Sequence, residues 1–353
     1  MTLREAVHKA VEGKHLTRDE AAAAVDAILE GGAPDLLVSA FLVALRMKGE
    51  TADEIAGAAL ALRRRAQRVL VSLDRLIDTC GTGGDSALTF NISTAAAFVA
   101  AAGGARVAKH GNRAVSSRCG SADVLAALGV ELELTPEGVA ACIDECGVGF
   151  LFAPRHHAAM QNAAPVRTAL GMRTLFNLLG PLANPAGAQR QLVGVYAPQL
   201  VPVLARTLAE LGAVRAFVVH GEGGLDEISP CGETLVAEVA NGTVREFVIA
   251  PEEFGLARGK VEELRGGDAA ENAQLLRAVL EGEEGTRRTA VLLNAGAALA
   301  ASGVCATIAE GVRGAEIAIA SGAARARVDA LVAVSRAQKA KENAARPPAG
   351  GEP

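Results

Sequence analysis

The chain has 353 residues, half of them hydrophobic, so a large core can be buried; at roughly 150 residues per domain this is room for about two domains. Lys plus Arg total 35 against 40 Asp plus Glu, a net charge of −5 that argues against a nucleic-acid coat. Aromatics are scarce (nine Phe, one Tyr and no Trp) while glycine reaches 39.

The first 66 residues read as helical. Thr17-x-x-Glu20 and Thr51-x-x-Glu54 are capping boxes, each opening an Ala/Leu/Ile-rich stretch with helical spacing. Pro34 suits the first turn of a third helix, Pro34–Met47. From Leu73 the pattern alternates: strands at Leu73–Cys80, Ala105–Lys109 and Val148–Phe152, and helices at Ser93–Ala102, about 121–128 and after Thr135-Pro136. A helical interlude follows at about 156–180. Gln191–Tyr196, Ala216–His220 and Ala290–Leu293 then resume the strand role, with a hairpin at Glu233–Ala250 turning at Asn241-Gly242. Repeated strand–helix alternation predicts an α/β fold with a mostly parallel sheet. The tail from about Gln338 reads as a frayed end.

Two uncharged runs, Ala87–Ala105 and Ala290–Ala309, contain polar residues such as Asn91 and Asn294 and many small ones. Neither resembles the roughly 20 strongly apolar residues of a membrane span, so no membrane partner is expected. Met1–Lys9 shows no apolar stretch of a signal peptide, and the six scattered cysteines include no CxxC pair. Together these predict a reducing cytoplasm.

In parallel α/β sheets ligands bind beyond the carboxyl ends of the strands, and three strand-to-helix loops there carry unusual chemistry. Gly81-Thr-Gly-Gly-Asp85 follows a strand and leads to Ser93 and Thr94 at a helix start, where backbone N–H groups can approach a phosphate. Lys109-His-Gly-Asn-Arg113, followed by Ser116, Ser117 and Ser121, sets two cations and several hydroxyls around another helix N-terminus, as a diphosphate would require. Gly223-Gly-Leu-Asp226-Glu227 offers hard oxygen ligands for Mg²⁺. Each loop alone also reads as a plain turn, a solvated basic loop or a surface acid pair; their convergence is what favours a ligand site. No Walker loop, GxGxxG or GxSxG motif occurs. On a helix, His156 and His157 would point about 100° apart, which fits a structural or surface role better than a shared metal. Cys142 and Cys146 fit a core stripe.

The segments Asp78–Asp85, Thr89–Thr94, Lys109–Ser117, Gly171–Pro185, Leu225–Ser229 and Gly267–Asn272 together resemble the anthranilate phosphoribosyltransferases, over about residues 3 to 335. The resemblance implies a small all-helical domain (1–66 plus about 165–185) through which a homodimer forms. It also implies a larger α/β domain (70–164 and 186–337), of the type shared by nucleoside phosphorylases and these transferases, and a flexible tail (338–353). It implies that phosphoribosyl pyrophosphate is held by Gly81, Gly84, Asp85, Thr89, Asn91, Ile92, Ser93, Thr94, Lys109, His110, Gly111, Asn112, Arg113, Ala114, Val115, Ser116, Ser117 and Ser121. By the same resemblance Ser93, Asp226 and Glu227 hold Mg²⁺, Gly81, Asn112 and Arg167 contact anthranilate, and Lys109, Asn112 and Arg167 serve catalysis. The implied activity joins the anthranilate amine to the phosphoribosyl group in tryptophan biosynthesis. Two departures are visible, Ser86 where glycine is common and Ala158 where proline is expected. The alternatives are a pyrimidine nucleoside phosphorylase, which shares the glycine loop, and a catalytically silent paralogue that binds nucleic acid.

Overall fold

The computed structural model describes residues 1–83, 88–114 and 118–345. Helices α1 (Leu3–Val11), α2 (Arg18–Leu29), α3 (Asp35–Lys48) and α4 (Ala52–Arg65) form the N-terminal bundle. The Thr17 and Thr51 hydroxyls accept from the N–H groups of Glu20 and Glu54, both at 3.3 Å, so each predicted capping box forms. Glu54 also works across the bundle. It is fully buried, and its carboxylate accepts from the Leu16 N–H at 2.8 Å and from Lys48 Nζ at 2.9 Å. A buried charge is tolerable only with such complete pairing. Pro34 stands one place earlier than expected, as the N-cap of α3.

The alternating region follows as β1 (Leu76–Gly81), α5 (Ile92–Ala102), β2 (Arg106–Gly111), α6 (Ser121–Leu128), α7 (Pro136–Cys146) and β3 (Val148–Phe152). Short helices α8 (Ala153–His156), α9 (Ala164–Leu170) and α10 (Leu175–Leu178) lead to β4 (Arg190–Gly194), α11 (Leu200–Glu210) and β5 (Arg215–Gly221). A hairpin, β6 (Thr234–Ala240) and β7 (Thr243–Ile249), precedes α12 (Ala269–Leu280), α13 (Thr286–Ser302), α14 (Ile308–Ala320) and α15 (Ala323–Ala345). The strands make one sheet in the order β3-β2-β1-β4-β5-β6-β7, parallel from β3 to β5 and antiparallel beyond. The chain first winds from β1 outward to β3 and then restarts on the other side of β1, so the topological switch point lies between β1 and β4.

Side chains alternate across the sheet. Leu192, Phe217 and Val219 face α5 and α13, whereas Val193, Ala216 and Val218 share a second core with α11 and the N-terminal bundle. The predicted turn at Asn241-Gly242 has φ of +50° and +78°, the left-handed pair that a two-residue hairpin demands. No helix among the described residues is long and apolar enough to cross a membrane.

Two expectations fail. Ala290–Leu293 is not a strand but the second turn of α13, whose residues from Ala290 to Ser302 are all buried. Such a helix shows no polar stripe to reveal its period, and a short Val-Leu-Leu run inside it mimics a strand. Its small residues admit α14 closely, since a Cβ on Gly311 would lie 2.1 Å from the Gly296 carbonyl oxygen. The tail does not fray at Gln338 either, because α15 runs to Ala345. Lys339 Nζ donates to the Glu133 carbonyl at 2.7 Å, and Glu342 accepts from the Thr135 N–H at 2.7 Å, so the charged side chains dock this turn onto the loop before α7.

Helices α9 and α10 return to the bundle, and histidines mark the seam. His156 Nδ1 lies 2.8 Å from the Gln67 carbonyl, and His110 Nδ1 lies 3.0 Å from that of Gly180. The His110 and His157 rings meet edge to face at 5.0 Å. Burial, the largest cause, pushes His110 down to about 4 and His157 to about 3. Both therefore stay neutral in the folded chain at pH values where the unfolded chain protonates them. Because the unfolded state then binds more protons, stability falls as pH drops below about 6.5 toward these values. The denaturation midpoint should accordingly decrease between pH 7 and 5, and His157→Phe should lower the proton-linkage slope there by up to about one proton. A slope equal to that of the parent protein would contradict the buried neutral imidazole.

Candidate active site

The turn after β5 carries Leu225-Asp226-Glu227-Ile228-Ser229, and it lies against the carboxyl ends of β1, β4 and β5. It can do so because those strands end in Gly81, Gly194 and Gly221. A Cβ on Gly194 would sit 1.5 Å from the Asp226 carbonyl oxygen, and one on Gly81 would sit 2.5 Å from Asp226 Oδ2. The acid pair is thus delivered to the switch point between β1 and β4. There Asp226 Oδ2 accepts from the Gly83 N–H at 2.9 Å, and Glu227 Oε1 accepts from the Ser93 N–H at 3.1 Å, in the first turn of α5. The first and third predicted loops are therefore directly joined.

Lys109, near the end of β2, is only 4% exposed. Its Nζ donates to the Thr79 carbonyl at 2.5 Å and to Ser93 Oγ at 3.3 Å. Burial lowers its pKa, while the carboxylates of Asp78, Glu227 and Asp226 pull the other way. Asp78 is itself buried, which raises its pKa; it accepts from Asn184 Nδ2 at 2.7 Å and from the His110 N–H at 3.0 Å. The expected cation is thus joined to the acid pair through Ser93, inside a hydrogen-bonded floor.

The second loop wraps the N-terminus of α6. Asp123 accepts from the Ala114 and Gly120 N–H groups, both at 2.9 Å, and from Arg113 Nη1 at 3.1 Å. Burial works against these bonds, yet they hold the Asp123 carboxyl below its ordinary value. Ser121 Oγ donates to the Asn112 carbonyl at 3.4 Å, across Gly111, whose Cβ would meet that hydroxyl at 2.2 Å. The Asn112 side chain is exposed and accepts from the Arg113 N–H at 2.8 Å.

The remaining expected donor-site residues fall into two groups. Thr89 bridges to Arg265 and Asn91 stands at the N-cap of α5, while Ile92 and Thr94 bury their side chains and donate their N–H groups to the Phe90 and Asn91 carbonyls. Gly84, Asp85, Val115, Ser116 and Ser117, with Ser86, lie outside the described residues. Arg167 is on α9, half-buried, with its guanidinium 5.9 Å from the Phe176 ring centre. No hydrogen bond or ion pair joins it to the three loops among the described residues, and burial lowers its pKa.

Two residues had no role assigned from sequence. Asn272, buried on α12, donates to Asn91 Oδ1 at 2.9 Å and accepts from the Gly267 N–H at 2.8 Å, so the Gly267–Asn272 segment buttresses the start of α5. Asn184 donates to Asp78 and to the Ala108 carbonyl at 2.8 Å, tying the Gly171–Pro185 segment to β1 and β2. Both lie inside the segments that carry the resemblance, so the signal was present without its meaning.

Comparisons with known proteins place nearly the whole chain in one family. Residues 4–66 match the glycosyl transferase family, helical bundle domain, and residues 73–325 match the glycosyl transferase family, a/b domain. An anthranilate phosphoribosyltransferase of Anaeromyxobacter sp. (strain K) is 58% identical over 94% of this chain and 98% of its own length. The crystal structure of anthranilate phosphoribosyltransferase (TrpD) from Thermus thermophilus superimposes with a TM-score of 0.89 at 48% identity, covering 94% of this chain and 99% of that one. The Saccharomyces cerevisiae enzyme, solved in complex with PRPP and Mg, gives 0.85 at 30% identity, over 95% of this chain and 98% of that one. The chain belongs to the anthranilate phosphoribosyltransferase family.

Proposed function

We propose that this chain transfers the phosphoribosyl group of phosphoribosyl pyrophosphate to the amine of anthranilate, giving N-(5-phosphoribosyl)anthranilate and pyrophosphate in tryptophan biosynthesis. The observation that carries the reading is the meeting of Asp226, Glu227, Ser93 and buried Lys109 at the switch point, beside the first turn of α5. A site for a polyanion and its cation needs a positive helix end and hard oxygen donors close together. The relatives of the chain carry the transferase name over nearly its whole length, which favours this reading over a nucleoside phosphorylase or a silent nucleic-acid-binding paralogue.

The donor set suits magnesium, which takes one or two carboxylates and completes its shell with phosphate and water. Asp226, Glu227 and the Ser93 hydroxyl would hold it, and bound there it would offset charge building on the departing pyrophosphate. Lys109 adds positive charge through Ser93. The residues of the first two loops, Gly81–Asp85, Thr89–Thr94 and Lys109–Ser117 with Ser121, would hold the donor. As the bond from C1′ to the pyrophosphate oxygen breaks, the anthranilate nitrogen forms its bond to C1′ and sheds a proton to water. An aniline nitrogen is neutral near pH 7, and the anilinium product is acidic, so the work is positioning rather than strong base catalysis. Gly81 and Asn112 would line the amine's approach, and Arg167 would grip the anthranilate carboxylate through paired hydrogen bonds.

A homodimer fits the bundle. Along α3 the residues Leu36, Ala40, Val43 and Met47 make an apolar stripe turned away from the core, and Leu36 and Met47 are 85% and 83% exposed. Six free cysteines suit a cytoplasmic location.

With protein, donor and Mg²⁺ together, anthranilate fluorescence should decline, and EDTA should stop the decline. The double variant Asp226→Asn, Glu227→Gln should lose most of that Mg²⁺-dependent turnover; an unchanged magnesium titration would contradict the assignment. Arg167→Ala should raise the KM for anthranilate about tenfold or more, the worth of one charged hydrogen-bonded contact, with little change in the KM for the donor. Equal effects on both would remove Arg167 from the anthranilate site. For the bundle, Leu36→Glu with Met47→Glu should halve the mass seen by light scattering, and a parent-like mass would place the contact elsewhere.

A further inference from the structure

We infer that Asn294 is a positioning residue for the Asp226–Glu227 pair, acting through the backbone of Ile228. The inference rests on reading that pair as the metal-bearing carboxylates. Asn294 is fully buried in the middle of α13, between Leu293 and Ala295. Its Oδ1 accepts from the Ile228 N–H at 3.0 Å, and its Nδ2 donates to the Ile228 carbonyl at 3.0 Å and to the Ala290 carbonyl at 2.9 Å.

This arrangement is what a neighbouring strand would supply. Ile228 lies beyond the end of β5 and before β6, and it is 1% exposed. Its N–H and C=O would otherwise be buried without water, a costly condition for backbone groups. The side-chain amide satisfies both and spends its remaining hydrogen one turn back on its own helix. The helix bearing it is rigidly seated, since α13 and α14 cross with Gly296 and Gly311 in backbone contact. On the opposite side the turn rests on Gly194 and Gly221. The carboxylate pair is therefore clamped between strand ends in front and Asn294 behind. Only one residue separates the clamp from Asp226, and none separates it from Glu227.

The same segment has a second anchor: the Ser229 N–H donates to Thr234 Oγ1 and its hydroxyl to the Glu222 carbonyl, both at 2.9 Å. That anchor holds the start of β6. Losing Asn294 should therefore loosen the acid pair without unravelling the hairpin.

The test is a Mn²⁺ titration of the full chain with pyrophosphate present, followed by the electron paramagnetic resonance of the free ion. Steady-state kinetics and a melting curve accompany it. Asn294→Ala should weaken Mn²⁺ binding about tenfold or more, the usual scale for a residue supporting a metal ligand. The KM for anthranilate should change by less than about twofold, because Asn112 and Arg167 lie on segments that Asn294 does not touch. Asn294→Gln keeps the amide on a longer stem, secures a folded variant, and should also weaken the ion. Parent-like Mn²⁺ affinity in a folded Ala or Gln variant overturns the proposal when the variant Asp226→Asn, Glu227→Gln has lost the ion. Retention of the ion by that double variant overturns the reading of the pair, and the positioning role with it.

Discussion

Four parallel strands end on a glycine, at positions 81, 111, 194 and 221. The missing side chains open the carboxyl edge of the sheet, and other parts of the chain fill the space. At Gly194 the tolerance is nil, because the Asp226 carbonyl occupies the place of a Cβ. This contact fixes how far the acid pair reaches over β1 and β4, and hence its distance from the first turn of α5. It also makes the pair part of the sheet's edge rather than of a loose surface loop. Chemistry that depends on holding a divalent cation and a polyanion in one place needs such a rigid mount.

Charge at the site is linked by hydrogen bonds. The buried ammonium of Lys109 donates to Ser93 Oγ, the Ser93 N–H donates to Glu227, and a further carboxylate, Asp78, is held by Asn184 and the His110 amide. Burial lowers the pKa of the lysine and raises that of Asp78, while their mutual attraction opposes both shifts. The arrangement tolerates burial because its hydrogen bonds are made. The Gly171–Pro185 segment enters here through Asn184, so the part of the chain that returns to the bundle also braces the floor of the site.

The three loops are legible in the sequence because strand ends, glycines and charged residues leave local traces. Capping boxes at Thr17 and Thr51, and the Asn241-Gly242 turn, were equally legible, since each is completed within four residues. The failures share a cause. The all-buried face of α13 hides its period, and docking of Lys339 and Glu342 onto the 133–135 loop depends on a contact some 200 residues away in sequence. The importance of Asn272 and Asn184 rests on distant partners, which no spacing rule reports. Lys109 is legible as a cation, but its inward direction follows from the Thr79 carbonyl across the β1–β2 pair.

The β6–β7 hairpin has a consequence for solubility. A sheet built by parallel crossovers must stop somewhere, and its last strand leaves backbone groups open to any other extended chain. The antiparallel return ends the winding, and β7 carries Arg245 and Glu246 on that border. Arg245 pairs with Glu238 at 3.0 Å and stacks 4.7 Å from the Phe247 ring centre. Half-exposed Val248 is thereby preceded along the edge by charge and a ring already covered. Strand-by-strand aggregation of neighbouring molecules meets a guarded border there.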